Sequence, residues 1–315
     1  MQFNLRREEI MGPGHLACQG CGGSLSMRLA LKVLGPKTYV VMPACCWSVI
    51  AGPFPYSNLN VPLLHTAFET AASAASGVRA ALDMRGEEDS TVLAWAGDGG
   101  TFDIGFQALS GAAERNENII FAVYDNEAYM NTGIQRSSAT PYGAWTTTTP
   151  VNNPKAEPKK DIIRIMAAHG IPYIATANVA FPGDLMRKFE KAKAIKGTRF
   201  IHILSPCPPG WKIPSDQSIE VARMATLANV FPLIEVKDGE RWTLNFKPDQ
   251  PIPAREYLQR QGRFRHLKEN DYEHIQKLVD HYWEKTCTSC GVTNDESFKN
   301  PEWFNSPFDH SRPVD

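Results

Sequence analysis

The chain has 315 residues, of which 43% are hydrophobic, and a formal net charge of −1. This length suffices for one large α/β domain with appendages, and the near-neutral charge argues against a protein that binds nucleic acid or anionic membranes electrostatically. No apolar run approaches the length of a membrane span. The first nine residues carry charges without an apolar core, so we predict no secretory signal and a cytoplasmic location.

The first informative stretch is a glycine-rich loop that contains Cys18 and Cys21. A Cys-x-x-Cys pair ringed by glycines can wrap a metal–sulfur centre, but it also fits a redox dithiol or a zinc knuckle. The chain has seven cysteines and no predicted secretory signal, which favours reduced thiols or metal ligands over a disulfide framework. A helix capped by Ser24 is predicted to run to Leu34.

Two further loops supply cysteines. A predicted strand from Thr38 to Met42 ends just before the adjacent Cys45 and Cys46, and one of these two is expected to be a bystander. Cys207 follows another predicted strand, in a proline-rich loop. The candidate ligands are therefore Cys18, Cys21, one of Cys45 and Cys46, and Cys207. Four thiolates are what a [4Fe–4S] cluster needs, and a structural Cys₄ zinc site is the alternative.

A helix rich in small residues is predicted to begin at His65. Within such a helix His65 and Glu69 stand one turn apart and share a face. They can form a satisfied capping pair. The functional alternative makes His65 a catalytic residue near the cofactor or substrate and Glu69 a cofactor-binding residue.

The central stretch of the chain is Gly97-Asp98-Gly99-Gly100. Residues 90–96 precede it as a short apolar run typical of a buried parallel strand, and a predicted helix and second strand lead from it to Asn126. Asp98 and Asn126 are thus brought to the carboxyl ends of two parallel strands, where open α/β sheets bind ligands. Their oxygen atoms suit Mg²⁺ with a diphosphate. The alternative is that the glycines form only a tight turn, with Asp98 as a helix cap.

The remainder of the chain changes in composition along its length. Residues 146–160 are polar and rich in proline, which predicts a surface loop, and the α/β alternation then continues to the strand before Cys207. We predict a cofactor-binding domain over residues 1–215 and an extension over residues 216–315 that packs on this core and on partner subunits. Cys287 and Cys290, near the end of the extension, are expected to be reduced thiols without a role, and a second metal site or redox pair is the alternative.

A set of motifs occurs in order between about Gly12 and Leu267. They are Gly14-His15 with Cys18 and Cys21, a cysteine before Phe54-Pro55-Tyr56, the segment His65 to Glu69, Gly97 to Gly100, Asp125 to Gly133, Thr140 to Trp145, and Pro206 to Trp211. In this combination the chain resembles the beta subunit of 2-oxoacid:ferredoxin oxidoreductases of the pyruvate synthase type.

The resemblance implies an α/β thiamine-diphosphate-binding fold, with a mostly parallel sheet flanked by helices. It implies these cofactor-site residues: Gly97, Asp98, Gly99, Gly100, Asn126 and Ala128, with Mg²⁺ bound by Asp98, the Asn126 side chain and the Ala128 carbonyl. It also implies a [4Fe–4S] cluster on Cys18, Cys21, Cys46 and Cys207. Cys46 is chosen because the family's third cysteine stands ten residues before the tyrosine found here at Tyr56. Asn131 and Thr132 would line the active site.

The implied activity is oxidative decarboxylation of a small 2-oxoacid, pyruvate by default, with CoA as co-substrate and electrons passed through the cluster to ferredoxin. Oxalate, which leaves no acyl group and needs no CoA, is an alternative substrate. A non-oxidative thiamine decarboxylase or carboligase, and a zinc-stabilised interaction subunit, are further alternatives.

The family's subunit arrangement implies that this chain is inactive alone. The glutamate that activates the thiamine comes from the pyrimidine domain of an alpha subunit. We therefore expect a hetero-oligomer with alpha and gamma/delta subunits, the latter carrying ferredoxin-like clusters.

Overall fold

A computed structural model describes residues 8–53, 55–292 and 298–301 of the chain. Its framework is a single eight-stranded sheet with the order β2-β1-β3-β4-β6-β5-β7-β8. The strands are β1 (Thr38–Pro43), β2 (Leu63–Thr66), β3 (Thr91–Gly97), β4 (Ile120–Asp125), β5 (Tyr173–Asn178), β6 (Arg199–Leu204), β7 (Ile234–Lys237) and β8 (Arg241–Leu244). The first six pair in parallel, and β7 and β8 are added in antiparallel orientation.

Helices cover both faces of this sheet, as a parallel sheet requires. They are α1 (Gly22–Leu34), α2 (Cys46–Ile50), α3 (Ala71–Met84), α4 (Phe106–Glu114), α5 (Ile162–Ala167), α6 (Pro182–Ala194), α7 (Pro208–Trp211), α8 (Ser218–Leu227), α9 (Ala254–Gln259) and α10 (Glu269–Ser289). Alternate residues of β3 divide between two apolar cores: Leu93 and Trp95 pack with α1 and α6, and Val92 and Ala94 with α3 and α4. The predicted α/β fold is confirmed.

The topology gathers the predicted site at one edge. Because β1, β3, β4 and β6 are parallel neighbours, their carboxyl ends point the same way. The segments that follow these four ends carry Cys46, Asp98, Asn126 and Cys207 respectively. The sheet thus explains how residues up to 161 positions apart in the chain, from Cys46 to Cys207, come to one edge.

Three local predictions need correction. The helix α1 begins at Gly22, not Ser24, and Cys21 occupies its N-cap position, while the Ser24 hydroxyl donates to the Cys21 carbonyl at 2.9 Å. The predicted helix after the central glycines is split into a π-helical turn over Gly99–Asp103 and α4. Gly105 lies at the break, where a Cβ would overlap the Gly100 carbonyl.

The predicted helix from His65 is wrong. His65 lies in β2, opposite Met42 of β1, and α3 begins only at Ala71. His65 and Glu69 therefore do not stand on one helical face, and both are exposed. Parallel pairing of β2 with β1 satisfies the backbone of this segment, and the small-residue run that favours close helix packing starts after it.

The region beyond residue 215 contributes to the same sheet. The strands β7 and β8 form a hairpin around Asp238 and Gly239, and β7 pairs with β5. The division into a domain over residues 1–215 and an extension over 216–315 stays a prediction. Within the described part of the chain, no helix combines the length and the apolar composition needed to span a membrane.

Candidate active site

Three oxygen atoms converge beyond the ends of β3 and β4. The side-chain oxygen of Asn126 lies 3.0 Å from Oδ1 of Asp98 and 3.0 Å from the carbonyl oxygen of Ala128. Octahedral Mg²⁺ binds oxygen at about 2.0–2.1 Å, which places adjacent ligand oxygens about 3 Å apart. With the Asn126 amide rotated by 180°, its nitrogen would donate to both oxygens instead. The donor set and its spacing fit Mg²⁺.

The electrostatics of Asp98 suit a bound cation. Burial, and then the nearby Asp125 carboxylate, raise the pKa of Asp98 well above its usual range. Ser137 opposes this shift by donating its hydroxyl to Asp98 Oδ2 at 2.5 Å. A divalent cation beside Oδ1 would favour the ionised form directly.

The loop that presents Ala128 is fixed by a buried network around Glu127. Glu127 has a φ of 69°, which turns the backbone, and its amide donates to Asp125 Oδ1 at 2.9 Å. Thr140 donates to the Glu127 carbonyl at 2.7 Å. The Glu127 carboxylate pairs with Lys159 at 2.9 Å and with Arg263 at 2.5 Å. These contacts offset the cost of a non-glycine residue at positive φ.

Asp125, the last residue of β4, belongs to the same buried network. It contacts His202 at 2.7 Å and Lys159 at 2.5 Å. Burial alone would raise its pKa, but Lys159 and His202 outweigh burial and lower the pKa of Asp125 to about 2. Lys159 belongs to the segment predicted as a surface loop, and that prediction is wrong for this residue, because its side chain reaches inward to Asp125 and Glu127.

A cavity of about 200 Å³ opens beside the three oxygens. Its lining residues are Ala44, Cys45, Cys46, Phe68, Gly97, Asp98, Gly99, Gly100, Tyr124, Asn126, Ala128, Tyr129, Met130, Asn131 and Thr132. The glycines admit close neighbours: a Cβ on Gly99 would overlap the Tyr129 ring, and one on Gly100 would lie 3.3 Å from Phe68. Phe68 and Tyr129 pack edge to face at 5.9 Å, and Tyr129 donates to Asp103 at 2.7 Å.

The structure brings most of the predicted cofactor residues to this cavity. Asn131 and Thr132 lie on its wall, and Thr132 is exposed. His65 and Glu69 are not among the lining residues, although Phe68 between them is. The roles assigned to His65 and Glu69 stay predictions.

The cysteine loops interlock at the same edge of the sheet. The amide of Cys21 donates to the Cys18 carbonyl at 3.2 Å, and the next amide, of Gly22, donates to Pro206 at 3.0 Å. A Cβ on Gly22 would lie 2.7 Å from the Pro206 nitrogen, so only glycine allows the two loops to touch. The Trp47 indole donates to the Gly23 carbonyl at 3.3 Å and ties α2 to α1.

Burial and the neighbouring thiols both raise the pKa values of the site's buried cysteines. Burial raises the pKa of Cys46 far above its usual range, with further contributions from Cys45, Cys207 and Cys21. Burial also raises the pKa of Cys207 to about 12, and Cys21 and Cys18 add to the shift. Such thiols become thiolates only when a positive centre, such as iron, compensates them.

Cys45 has a different environment from Cys46. Burial raises the pKa of the Cys45 thiol, and the neighbouring Tyr124 hydroxyl acts against this shift. The Cys45 amide donates to Ser48 Oγ at 3.1 Å, and Cys45 occupies the N-cap position of α2. Cys45 therefore caps the helix that begins at Cys46.

Within residues 8–53, 55–292 and 298–301, no three Cys, His, Asp or Glu side chains are grouped as for a single metal ion. A four-iron cluster is larger than one ion and holds its thiolates farther apart. The thiols of Cys21, Cys46 and Cys207, which sense each other electrostatically, and the neighbouring Cys18 are the right donors for such a cluster. Their chemistry fits the predicted group.

Two other predictions fall outside this site or outside the described chain. Cys287 and Cys290 are free thiols near the end of α10, and their lack of a role stays a prediction. Phe54, part of one quoted motif, lies outside the described residues.

Three contributing residues carry no recognisable sequence signal: Ser137, Lys159 and Arg263 act through contacts 32 or more positions away in the chain. Thr140 and Phe68 lie within two of the family motifs, but neither motif predicts a role for them. A buried charge that needs a partner is the only hint that Lys159 and Arg263 offer.

Comparison with known proteins identifies the family. Residues 46–203 match the family model described as thiamine pyrophosphate enzyme, C-terminal TPP binding domain. The ketoisovalerate oxidoreductase subunit VorB of Pyrococcus abyssi is 51% identical over 294 residues, covering 90% of this chain and 94% of that protein. The pyruvate synthase subunit PorB of Methanocaldococcus jannaschii is 49% identical over 290 residues, covering 89% and 96%.

Among solved structures, a 2-oxoglutarate:ferredoxin oxidoreductase from Magnetococcus marinus shares the fold. Its TM-score is 0.56 at 23% identity, over 70% of this chain and 82% of that chain. The predicted thiamine-diphosphate-binding fold and the predicted resemblance are confirmed. The chain belongs to the beta subunits of the thiamine-dependent 2-oxoacid:ferredoxin oxidoreductases, which work within hetero-oligomers.

Proposed function

We propose that this subunit holds thiamine diphosphate with Mg²⁺ and a [4Fe–4S] cluster side by side, for oxidative decarboxylation of a small 2-oxoacid with ferredoxin as acceptor. The magnesium ligands are Asp98, the Asn126 side chain and the Ala128 carbonyl. The cluster ligands are Cys18, Cys21, Cys46 and Cys207. One observation carries the proposal: Cys46 and Asp98 line the same cavity. A cluster ligand and a metal ligand that line one cavity suit electron transfer over a short distance.

When bound, thiamine diphosphate supplies the electron sink for loss of CO₂, and the cluster takes up electrons one at a time. The protein's own contribution is positional. The three oxygens fix the diphosphate end of the cofactor relative to Cys46. The Phe68–Tyr129 pair packs over Gly99 and Gly100 and limits the access of water to this end of the cavity.

Asn131 and Thr132 face the substrate side of the cavity in this proposal. Both lie in the loop that continues from Ala128, and Thr132 Oγ1 hydrogen-bonds to the Gln135 side chain. Their amide and hydroxyl groups are suited to bind a carboxylate or keto oxygen. His65 and Glu69 are exposed on this subunit, so a contribution from them requires the partner subunit to close over β2 and the turn after it.

The substrate class is a small aliphatic 2-oxoacid. Relatives named for ketoisovalerate and for pyruvate are almost equally similar, at 51% and 49% identity, so both acids belong in the first assay beside oxalate. Pyruvate and ketoisovalerate would require CoA to take up the acyl group. Oxalate would not.

The partners are an alpha subunit that supplies the pyrimidine-domain glutamate and much of the substrate site, a gamma/delta subunit with ferredoxin-like clusters, and ferredoxin. The chain alone is then inactive even when it is loaded with cofactors.

The test is an anaerobic visible and EPR spectrum of the purified complex, recorded before and after each 2-oxoacid is added. A [4Fe–4S] signal that is bleached or reduced by one acid would support the proposal and identify the substrate. A colourless protein that contains zinc would refute the electron-transfer role. If none of the 2-oxoacids reduces the cluster and product still forms in the absence of ferredoxin, the result would favour a non-oxidative decarboxylase or carboligase.

A further inference from the structure

One buried arginine of the C-terminal region contacts the loop of residues 126–128. This loop carries two of the proposed Mg²⁺ ligands and is called the metal loop below. Arg263 lies in a short 3₁₀ turn, Gly262–Phe264, and its side chain is 2% exposed. Its Nη2 donates to Glu127 Oε2 at 2.5 Å and to Gln261 Oε1 at 2.7 Å. Glu127 is the positive-φ residue that directs the Ala128 carbonyl toward the other metal oxygens, so Arg263 holds the metal loop at its turning point.

The same guanidinium stacks on the cysteine side of the site. It lies 4.2 Å from the centre of the Trp211 ring. Trp211 ends the short helix that begins after Cys207, and its amide donates to the Cys207 carbonyl at 2.8 Å. The Trp211 indole donates to the Asn126 carbonyl at 2.8 Å. Trp211 therefore contacts both the Cys207 loop and the metal loop, and the Arg263 guanidinium packs on the Trp211 ring.

The charge of Arg263 also reaches the thiols. The guanidinium lies against the Trp211 ring, and the Trp211 backbone is hydrogen-bonded to the Cys207 carbonyl, so only one side chain separates the charge from the Cys207 loop. In an interior of low dielectric, a fixed positive charge at this position stabilises added negative charge nearby. A reduced iron–sulfur cluster carries one more electron than its oxidised form, so it gains more from this charge.

We propose that Arg263 is a positioning residue that ties the magnesium loop to the Cys207 loop, and that its charge raises the reduction potential of the cluster. This inference rests on the proposed function, because it assumes the metal and cluster sites assigned above. It gives the C-terminal region a role within the site itself.

The test compares three variants in the assembled complex. Arg263→Gln removes the charge, and Arg263→Lys keeps it but loses the planar fork that reaches Glu127 and Gln261 together. Arg260→Gln is the matched control, since Arg260 is 50% exposed and pairs with Glu220 on the surface. The readouts are the midpoint potential of the cluster, by EPR-monitored redox titration, and the Mg²⁺-dependent affinity for thiamine diphosphate.

Arg263→Gln should shift the midpoint potential to a more negative value and weaken cofactor binding by about 10-fold, in the range seen for partners of metal ligands. Arg263→Lys should weaken cofactor binding similarly while keeping the potential close to that of the unmodified complex. Arg260→Gln should change neither quantity.

The proposal is overturned if Arg263→Gln matches Arg260→Gln in both readouts. Should Arg263→Gln fail to assemble, Arg263→Lys decides: unchanged cofactor affinity in that variant refutes the positioning role. An unmodified complex without any [4Fe–4S] signal would refute the proposed function instead, and would be recognised before any variant is measured.

Discussion

The oxygen donors and the sulfur donors of the site are built in opposite ways. Asp98, Asn126 and Ala128 come from the ends of two adjacent strands, and one side-chain atom of Asn126 lies 3.0 Å from an oxygen of each of the other two. The four cysteines come from three distant loops, and burial raises the pKa of three of them, Cys21, Cys46 and Cys207. In the proposed function, the oxygen donors are therefore arranged without the metal, whereas the buried thiols ionise only when iron binds.

The largest expected effect separates Cys46 from Cys45. Cys46→Ala in the assembled complex should abolish the cluster, because it removes one of four thiolates that have no substitute. Cys45→Ala should retain it, because in the proposal Cys45 is not a ligand, and the N-cap contact that it makes runs through its backbone amide to Ser48. Iron and sulfide content with EPR spectra would measure both outcomes.

The control for this pair is Cys290→Ala, at the end of α10, which should leave the iron content unchanged. The assignment is wrong if Cys45→Ala loses the cluster while Cys46→Ala keeps it.

The next effect tests the metal side. Asp98→Asn should weaken Mg²⁺-dependent binding of thiamine diphosphate by at least about 100-fold, because a ligand is lost rather than merely loosened. Isothermal titration calorimetry with the complex would measure it, and chelation of Mg²⁺ from the unmodified complex should release the cofactor reversibly. The cluster signal should persist in both experiments. Loss of the cluster on chelation would show that the two sites do not form independently.

A smaller effect tests how Asp98 is oriented. Ser137→Ala removes the hydroxyl that donates to Asp98 Oδ2 and leaves that buried oxygen without this partner. Mg²⁺ affinity should fall by about 10-fold, with iron content unchanged. Ser110→Ala is the matched control, since Ser110 hydrogen-bonds to His169 away from the cavity. Equal Mg²⁺ affinities in the two variants would remove Ser137 from the metal site.

The contrast between the two regions also explains what the sequence could predict. Asp98 and Asn126 follow consecutive strands, so strand–helix–strand periodicity alone places them together. Cys46 and Cys45 are adjacent, and spacing cannot choose between them. In the structure the two differ in their neighbours: Cys45 occupies the N-cap position of α2 and lies beside Tyr124.

His65 and Glu69 illustrate the other limit. Their one-turn spacing predicted a shared helical face, yet the pairing of β2 with β1 overrides the local pattern. Likewise the polar, proline-rich composition of residues 146–160 predicted a surface loop, although Lys155 is buried and Lys159 reaches Asp125. The composition of a segment predicts its average exposure. It does not predict that one side chain, here that of Lys159, turns inward to pair with the buried Asp125 carboxylate.

The smallest expected effect concerns this same segment and the pH dependence of stability. Lys155 is 3% exposed, and its ammonium donates to the carbonyls of Glu157 at 2.7 Å and Pro158 at 3.0 Å. Burial, followed by repulsion from Arg136, lowers the pKa of Lys155 to about 8. The folded form therefore loses a proton that the unfolded chain keeps until about pH 10.4.

The sign follows from the proton balance. At Lys155, above about pH 8, the unfolded state binds more protons than the folded state, so the contribution of this residue to the free energy of unfolding should rise with pH. The gain between about pH 7 and about pH 9 should be about 1 kcal/mol. Lys155→Met should flatten this rise, whereas Lys277→Met, on the long helix α10, should not. Denaturant unfolding at the two pH values measures the free energy of unfolding at each pH. If Lys155→Met leaves the pH dependence of this free energy unchanged, Lys155 is not the group that loses the proton.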